Sequence, residues 1–241
     1  MRGIRKSFGS VEALRGVDFH VNAAEIVGLL GDNGAGKSTL IKVLSGLYGA
    51  DAGTFLFRGR KLDWTRSGVS RARGLGIETV YQDRALGLQQ SLWRNVFVGR
   101  HIKGSWGLID VAEERRVTAE LLARMGLGGG RLTPDTRAGV LSGGERQGLA
   151  IGRAMHFDAE LVVLDEPTTA LALSEVDKVL EFICGVRERG KSVVFITHSI
   201  DHVWAVADRF VVLSHGRNAG EWTRGELTLP ELMARLREVA L

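Results

Sequence analysis

The sequence predicts an α/β protein with a mostly parallel sheet that carries helices on both faces and has a helical segment inserted into it. Short apolar runs alternate with helical patterns, and a glycine-rich turn joins one such run to a helix. From about 85 to 157 the helical period dominates instead. Because crossover helices connect parallel strands, the alternation outside this stretch indicates a parallel sheet.

The individual elements follow from residue periodicity and end signals. Strands are predicted at about 17–22, 25–30, 54–57, 76–80, 161–164, 192–197 and 210–214, and helices at about 40–47, 174–188 and 200–207. In the middle segment, Asp110-x-x-Glu113 resembles a capping box, and Gly126 with the Gly128–Gly130 run predicts the end of that helix. A second box, Thr228-x-x-Glu231, predicts the start of a final helix.

Composition favours an ordinary globular protein and disfavours several other classes. The net charge is +4, from 32 Lys+Arg against 28 Asp+Glu, and the basic residues are scattered. This scatter is typical of an ordinary solvated surface. A nucleic-acid-binding surface would concentrate its basic residues in a stripe. One cysteine, Cys184, rules out a disulfide within these 241 residues. Apolar runs such as 161–164 are only a few residues long, far below the ~20 that span a bilayer.

A phosphate-binding loop is predicted where the run at 25–30 meets its helix. The segment Gly31-Asp-Asn33-Gly34-Ala35-Gly36-Lys37-Ser38-Thr39 matches G-x-x-x-x-G-K-[ST] in the required strand-to-helix context. Its glycines allow backbone N–H groups to wrap a phosphate, and Lys37 is expected to reach the terminal phosphates. The Ser38 hydroxyl is expected to bind Mg²⁺. The alternative is a glycine-rich turn with an idle lysine.

Two adjacent carboxylates follow a later apolar run. Leu161-Val-Val-Leu reads as a core strand and is followed by Asp165 and Glu166. Asp165 suits Mg²⁺, directly or through water, because this cation prefers oxygen ligands. Glu166 is positioned to act as general base on a water molecule. Alone, the pair could also be a solvated strand end.

A second candidate phosphate site is the segment Leu141-Ser142-Gly143-Gly144-Glu145, placed before a helix. A serine and two glycines at a helix N-terminus can bind phosphate, although a simple helix cap would also use Ser142. This string resembles the signature sequence of the ABC ATPases. With the loop at 31–39 and the Asp165-Glu166 pair, it makes nearly the whole chain resemble the ATP-binding domains of the ABC family.

That resemblance implies a fold and a set of cofactors. The expected fold is that of a P-loop NTPase (RecA-like) with an antiparallel β subdomain and an inserted helical subdomain, in a single domain over 1–241. The core and β subdomain would cover about 1–84 and 158–220, the helical subdomain about 85–157, and a C-terminal helix about 228–241. The implied cofactors are ATP and Mg²⁺.

The resemblance also implies roles for three further residues. Phe8 matches the aromatic residue that stacks on adenine, although it could instead be a core residue. Gln82 matches the glutamine that senses Mg²⁺ and the attacking water and links to the transmembrane partner. His198 matches the histidine that contacts the γ-phosphate. The Ser142–Glu145 segment is implied to serve the nucleotide of the opposite subunit in a head-to-tail homodimer.

Three features depart from the family pattern. Ala172 stands where many relatives carry an aspartate that contacts the opposite subunit, although sugar importers of the ribose type often lack it too. Gly148 and Gly152 interrupt the helix after Ser142, at ~1 kcal/mol each relative to alanine unless close packing requires them. Few residues precede Phe8, so the first strand is expected to be shorter than in relatives.

Within the family, the resemblance favours the ATPase subunit of an importer. The segments around Lys37 and Tyr81-Gln82-Asp83 resemble ribose, xylose and fructose importers. This implies partners in a membrane permease and, indirectly, an extracytoplasmic substrate-binding protein, without nucleic acid. The expected location is cytoplasmic, peripheral on the inner face of the cell membrane. The alternative is a non-transport ABC ATPase associated with ribosomes or DNA.

Overall fold

Two sheets and a set of covering helices make up the chain. The computed structural model describes residues 1–66, 68–81, 86–127 and 131–240, except the side chain of Ala240. Its strands are β1 (Arg2–Phe8), β2 (Val11–Val17), β3 (Ile26–Leu30), β4 (Ala52–Phe57), β5 (Arg60–Leu62), β6 (Ile77–Val80), β7 (Leu161–Asp165), β8 (Ser192–Ile196), β9 (Arg209–Ser214) and β10 (Arg217–Thr223). Its helices are α1 (Lys37–Leu44), α2 (Val69–Gly74), α3 (Leu92–Phe97), α4 (Val111–Arg124), α5 (Gly143–His156), α6 (Leu173–Glu188), α7 (Ile200–Val206) and α8 (Leu229–Ala240).

The larger sheet has the strand order β10-β9-β3-β8-β7-β6. The strands from β9 to β6 are parallel, and β10 adds an antiparallel edge. Every residue of β3 and β8 is buried, which matches strands covered on both faces. The parallel sheet predicted from the alternating pattern is confirmed.

A smaller antiparallel sheet has the order β2-β1-β4-β5. The strand predicted at 17–22 is wrong, because β2 ends at Val17. Phe19 is nevertheless buried, and its backbone exchanges two hydrogen bonds with that of Met1, at 2.8 and 3.0 Å. The period-two pattern therefore reflects alternating buried and exposed side chains and not a continuing strand. β1 spans seven residues.

Helices α3, α4 and α5 lie between β6 and β7 in the chain and share an apolar core that includes Leu92, Phe97, Leu122 and Leu149. Asp110 caps α4 as predicted, accepting a bond from the Glu113 N–H at 3.0 Å. The helix ends just before Gly126, which has a φ of +69°. The Gly128–Gly130 run lies outside the described residues.

The final helix also begins where predicted. The Glu231 carboxylate accepts bonds at 2.7 Å from both the backbone N–H and the hydroxyl of Thr228. Within the described residues, no helix combines the length and apolarity needed to cross a bilayer.

The two glycines inside α5 allow close contact with neighbouring helices. A Cβ on Gly148 would lie 2.3 Å from Cε2 of Phe182 on α6. On Gly152 it would lie 2.6 Å from the sulfur of Met125, which is a flexible side chain. Close packing thus accounts for both helix-interior glycines, and Gly148 is the more constrained because an aromatic ring cannot easily move aside.

We expect Gly148→Ala to lower the free energy of unfolding by about 1–3 kcal/mol, because the added methyl group overpacks the α5–α6 contact. Gly185 lies inside α6 with nothing within 4 Å of a Cβ placed on it. Gly185→Ala is therefore the matched control, and it should stabilise the protein by about 1 kcal/mol. Urea unfolding curves measure both effects. Shifts of the same sign would contradict the packing interpretation.

Candidate active site

Three neighbouring parallel strands end at the same edge of the larger sheet. In the register of β3, β8 and β7, Leu29 lies beside Ile196, and Ile196 lies beside Asp165. The residues that follow these strand ends are therefore level with one another. This edge carries the loop that starts at Gly31, the segment containing His198, and the Asp165-Glu166 pair.

The loop between β3 and α1 needs glycine at several positions. Gly31, Gly34 and Gly36 have φ values of +138°, +84° and +104°. A Cβ on Gly31 would lie 2.2 Å from the carbonyl oxygen of Leu213, and one on Gly36 would lie 2.9 Å from that of Ala13. Asn33 and Gly34 are exposed and Ala35 is buried, with the Ala35 N–H bonded to the Asp32 carbonyl at 3.1 Å. The loop is therefore fixed by its own backbone and by the strands beneath it.

Lys37 is the first residue of α1, and its side chain is buried. Its Nζ donates to the carbonyl oxygens of Gly31 and Asp32, at 2.6 and 2.9 Å. Burial lowers the pKa of Lys37, and the charges of Glu166, Asp32 and Asp165 oppose that shift. The ammonium group is thus held inside the loop by carbonyl groups that a phosphate could replace. Ser38 and Thr39 follow in the first turn of α1, and Ser38 is exposed.

Asp165 and Glu166 place two carboxylates beside Lys37. Burial, followed by the negative charge of Glu166, raises the pKa of Asp165, while Lys42, Lys37 and His198 oppose the shift. The ionised form of Asp165 is therefore disfavoured in the protein alone. A cation beside this group would remove that penalty, and its carboxylate oxygens are of the kind that Mg²⁺ prefers. The chemistry of Asp165 therefore fits this metal.

Glu166 is held in an unusual backbone conformation. It is buried and has a φ of +51°, in the left-handed region that L-residues rarely adopt. Its N–H donates to the Ile196 carbonyl at 2.9 Å, which extends the β7–β8 ladder by one residue. Backbone strain of this kind persists only where the surrounding structure imposes it.

The two carboxylate oxygens of Glu166 have different neighbours. Oε2 accepts a hydrogen bond from the Thr169 hydroxyl at 2.9 Å. Oε1 lies 3.2 Å from Nε2 of His198, a half-exposed side chain. The geometry of that contact is not aligned for hydrogen bonding, and Oε1 is buried without a hydrogen-bond partner among the described residues. Sequence reasoning missed Thr169, although its place three residues after Glu166 was a usable signal.

Ser142 is the N-cap of α5 and forms a capping box with Glu145. Its Oγ accepts from the Glu145 N–H at 3.2 Å, and its own N–H donates to Oε2 of Glu145 at 2.7 Å. Glu145 therefore holds the helix start in place. Gly143 and Gly144 face α6 and the segment before it, since a Cβ on Gly143 would lie 2.3 Å from Cδ2 of Leu171.

Glu175, in the first turn of α6, was not identified from the sequence. A Cβ on Gly143 would lie 3.2 Å from its Oε2, and one on Gly144 would lie 3.0 Å from its Cβ. Hydrogen bonding from the Ser142 hydroxyl, with smaller contributions from the N–H groups of Ala172, Gly144 and Gly143, lowers the pKa of Glu175. This carboxylate lies against the N-terminus of α5. Its sequence signal was an acidic residue three positions after the alanine that precedes α6.

Phe8 ends β1 and is 43% exposed, so it is not a core residue. Its ring makes an edge contact with Tyr48 at 5.2 Å between centroids, and Nζ of Lys6 lies 5.6 Å from its centre. Part of the ring is thus available to a ligand. Gln82, the remaining candidate, lies outside the described residues.

A family model described as ABC transporter matches residues 14–169, a range that includes the loop at 31–39, Ser142–Glu145 and Glu166. The chain belongs to the ABC transporter family. Its matched range is more than half of its length.

Curated relatives of this ABC chain are named as sugar-import proteins. The ribose import ATP-binding protein RbsA of Chromobacterium violaceum is 40% identical over 221 residues, which are 92% of this chain and 43% of that protein. The xylose/arabinose import ATP-binding protein XylG of Sulfolobus acidocaldarius is 39% identical over 246 residues, covering 100% of this chain and 94% of that protein. The chain thus spans less than half the length of the first relative and nearly all of the second.

Solved structures of ATP-binding cassettes share the fold. A nucleotide-free cassette from an ABC transporter has a TM-score of 0.84 and 25% identity, over 99% of this chain and 95% of that one. A dimeric cassette in a post-hydrolysis state with ADP and Pi has a TM-score of 0.75 and 24% identity, over 92% of this chain and 97% of that one. The expected ABC fold is confirmed.

We expect Asp165→Asn to raise the Tm of the metal-free protein at neutral pH. A carboxyl group whose pKa is raised by folding destabilises the folded state once the pH exceeds its unfolded value, and the full cost applies above its folded pKa. The substitution removes that cost. Thermal unfolding in EDTA measures the effect, with the exposed Asp177→Asn on α6 as control. The gain should shrink as acid protonates Asp165. An Asp165→Asn variant less stable than the parent at neutral pH would contradict the argument.

Proposed function

We propose that this chain is the ATP-hydrolysing subunit of an ABC importer for a monosaccharide. The observation that carries this proposal is the common edge of β3, β8 and β7, where Lys37, Glu166 and His198 come together. Identity of 39–40% with ribose and xylose/arabinose import proteins supports the transport role and the substrate class.

In this proposal the loop at 31–39 holds the phosphates of ATP. Lys37 exchanges its two carbonyl partners for phosphate oxygens, and the backbone N–H groups of Gly34 and Gly36 add donors. Ser38, Asp165 and Gln82 would hold Mg²⁺, which supplies charge neutralisation for the phosphates. The exposed ring of Phe8 would stack on adenine, worth ~1–3 kcal/mol in comparable contacts.

Hydrolysis then needs a base and a group that positions the γ-phosphate. The oxygen of a water molecule bonds to the γ-phosphorus, the bond from that phosphorus to the ADP oxygen breaks, and the water proton passes to Glu166. His198, 3.2 Å from Glu166, would contact the γ-phosphate from the same side. The products are ADP and phosphate.

The proposed working form is a head-to-tail homodimer. The N-terminus of α5 contacts Leu171 and Glu175 of the same chain, which lie beyond Glu166 along the sequence. Ser142, Gly143 and Gly144 would complete the site of a second subunit, with Glu145 fixing the helix start. The existence of a related cassette as a dimer with ADP and Pi supports this arrangement.

The proposed assembly includes partners beyond the dimer. As in the importers that its relatives are named for, the chain would lie on the cytoplasmic face of the cell membrane, bound to a permease. The helices between β6 and β7 would form the helical subdomain, about 85–157, and Gln82 would link the site to the permease. An extracytoplasmic binding protein would deliver the sugar.

Glu166→Gln tests the base. The amide keeps the shape of the side chain but cannot accept a proton, so turnover should fall by ~10²–10⁴-fold while Mg-ATP binding persists. Steady-state phosphate release and titration with a fluorescent ATP analogue measure the two quantities, and Lys37→Ala is the control that should lose binding. Hydrolysis near the parent rate in Glu166→Gln would contradict the role of Glu166 as general base.

Mixing two inactive variants tests the shared sites. Ser142→Arg leaves its own phosphate loop intact, and Lys37→Ala leaves its own α5 N-terminus intact. In a mixed dimer, one site combines both defects and the other contains only intact parts, so activity should return on mixing. The specific activity of the parent protein should also rise with enzyme concentration as dimers form. Flat specific activity together with no recovery on mixing would point to a monomeric site.

A further inference from the structure

The two carboxylate oxygens of Glu166 differ in their hydrogen bonding. Oε2 accepts a hydrogen bond from the Thr169 hydroxyl at 2.9 Å. Oε1 is buried, lies 3.2 Å from Nε2 of His198, and has no hydrogen-bond partner among the described residues. A general base needs an available acceptor oxygen directed at the water, and a hydroxyl bound to the other oxygen fixes that direction. The two oxygens of Glu166 have this asymmetry.

The backbone after Glu166 creates the contact. Its left-handed φ of +51° turns the chain as it leaves β7, and the Thr169 N–H donates to the Glu166 carbonyl at 3.3 Å. This turn returns Thr169 to the carboxylate three residues before it. Thr168, the adjacent hydroxyl, is directed elsewhere, since its Oγ1 lies 3.0 Å from Nδ1 of His202.

We propose that Thr169 is a positioning residue for ATP hydrolysis, whose hydroxyl holds Oε2 of Glu166 so that Oε1 receives the proton of the attacking water. The proposal rests on the function proposed above, with Glu166 as base. The terminal torsion of a glutamate side chain is broad, so a carboxylate without this bond samples many orientations. The hydroxyl proton stays on Thr169 throughout, and the water proton goes to Oε1 as the water oxygen bonds to the γ-phosphorus and ADP departs.

Three single variants separate the hydroxyl from the shape of the side chain. Thr169→Val keeps the branched shape and removes the donor, and should lower kcat about tenfold, with the KM for ATP within about twofold of the parent. Thr169→Ser restores the donor and should recover most of the rate. Ser174→Ala removes an exposed hydroxyl in the first turn of α6 and should leave kcat unchanged. All rates are taken at enzyme concentrations where specific activity has reached its plateau.

A double variant tests whether Thr169 acts through Glu166. In a Glu166→Gln background, single-turnover hydrolysis should be insensitive to Thr169→Val, because the base is already absent. An unchanged kcat in Thr169→Val would overturn the proposal, as would equal losses in the valine and serine variants, or the same tenfold loss in the Glu166→Gln background. Turnover near the parent rate in Glu166→Gln alone would overturn the base assignment instead, and the role of Thr169 with it.

Discussion

The register of three parallel strands sets the positions of Lys37, Glu166 and His198 at the candidate site. Because β3, β8 and β7 are hydrogen-bonded neighbours that run in the same direction, the residues leaving them emerge at one edge and at one level. Lys37 and Glu166, which are 129 positions apart in the sequence, are thereby brought to the same edge as His198. A slip of one residue in any of these strands would turn its side chains to the opposite face and separate the three groups.

The same arrangement opposes stability at the site. Lys37 and Asp165 both have pKa values shifted against their charged forms by burial, and Glu166 has a strained backbone. The buried apolar strands beneath compensate, since β3 and β8 have no exposed residue. Near the opposite end of β3, the buried Arg209 guanidinium binds both carboxylate oxygens of Glu25, at 2.7 and 2.9 Å, which ties the start of β3 to β9.

The sequence predicted elements well where burial is two-sided. Continuous apolar runs identified β3, β7 and β8, and end signals identified the starts of α4 and α8, because those interactions are local. The antiparallel sheet was harder, because most positions of β1 are exposed and give no apolar periodicity. The end of β2 at Val17 was missed because buried and exposed side chains continue to alternate after strand pairing has stopped.

The site residues that the sequence predicted lie in contiguous motifs, and the two that it missed depend on contacts made by the fold. The phosphate loop and the Asp165-Glu166 pair are contiguous strings whose chemistry can be read directly. The contact of Thr169 with Glu166 depends on a left-handed backbone turn, and the contact of Glu175 with Gly143 depends on how α6 packs against α5. Residue spacing offers a signal for each contact, but the backbone turn and the helix packing decide whether the contact forms.

The carboxylate beside the start of α5 has a consequence for selectivity among anions. A helix N-terminus attracts phosphates, sulfates and carboxylates alike, and a cell is rich in phosphorylated metabolites. Glu175 is tethered next to the N–H groups of Gly143 and Gly144, and a tethered group competes as though present at concentrations on the order of millimolar. A small dissolved anion has to displace the Glu175 carboxylate before it can bind the same N–H groups. The N-terminus of α5 is therefore less available to stray anions than a helix N-terminus without such a carboxylate beside it.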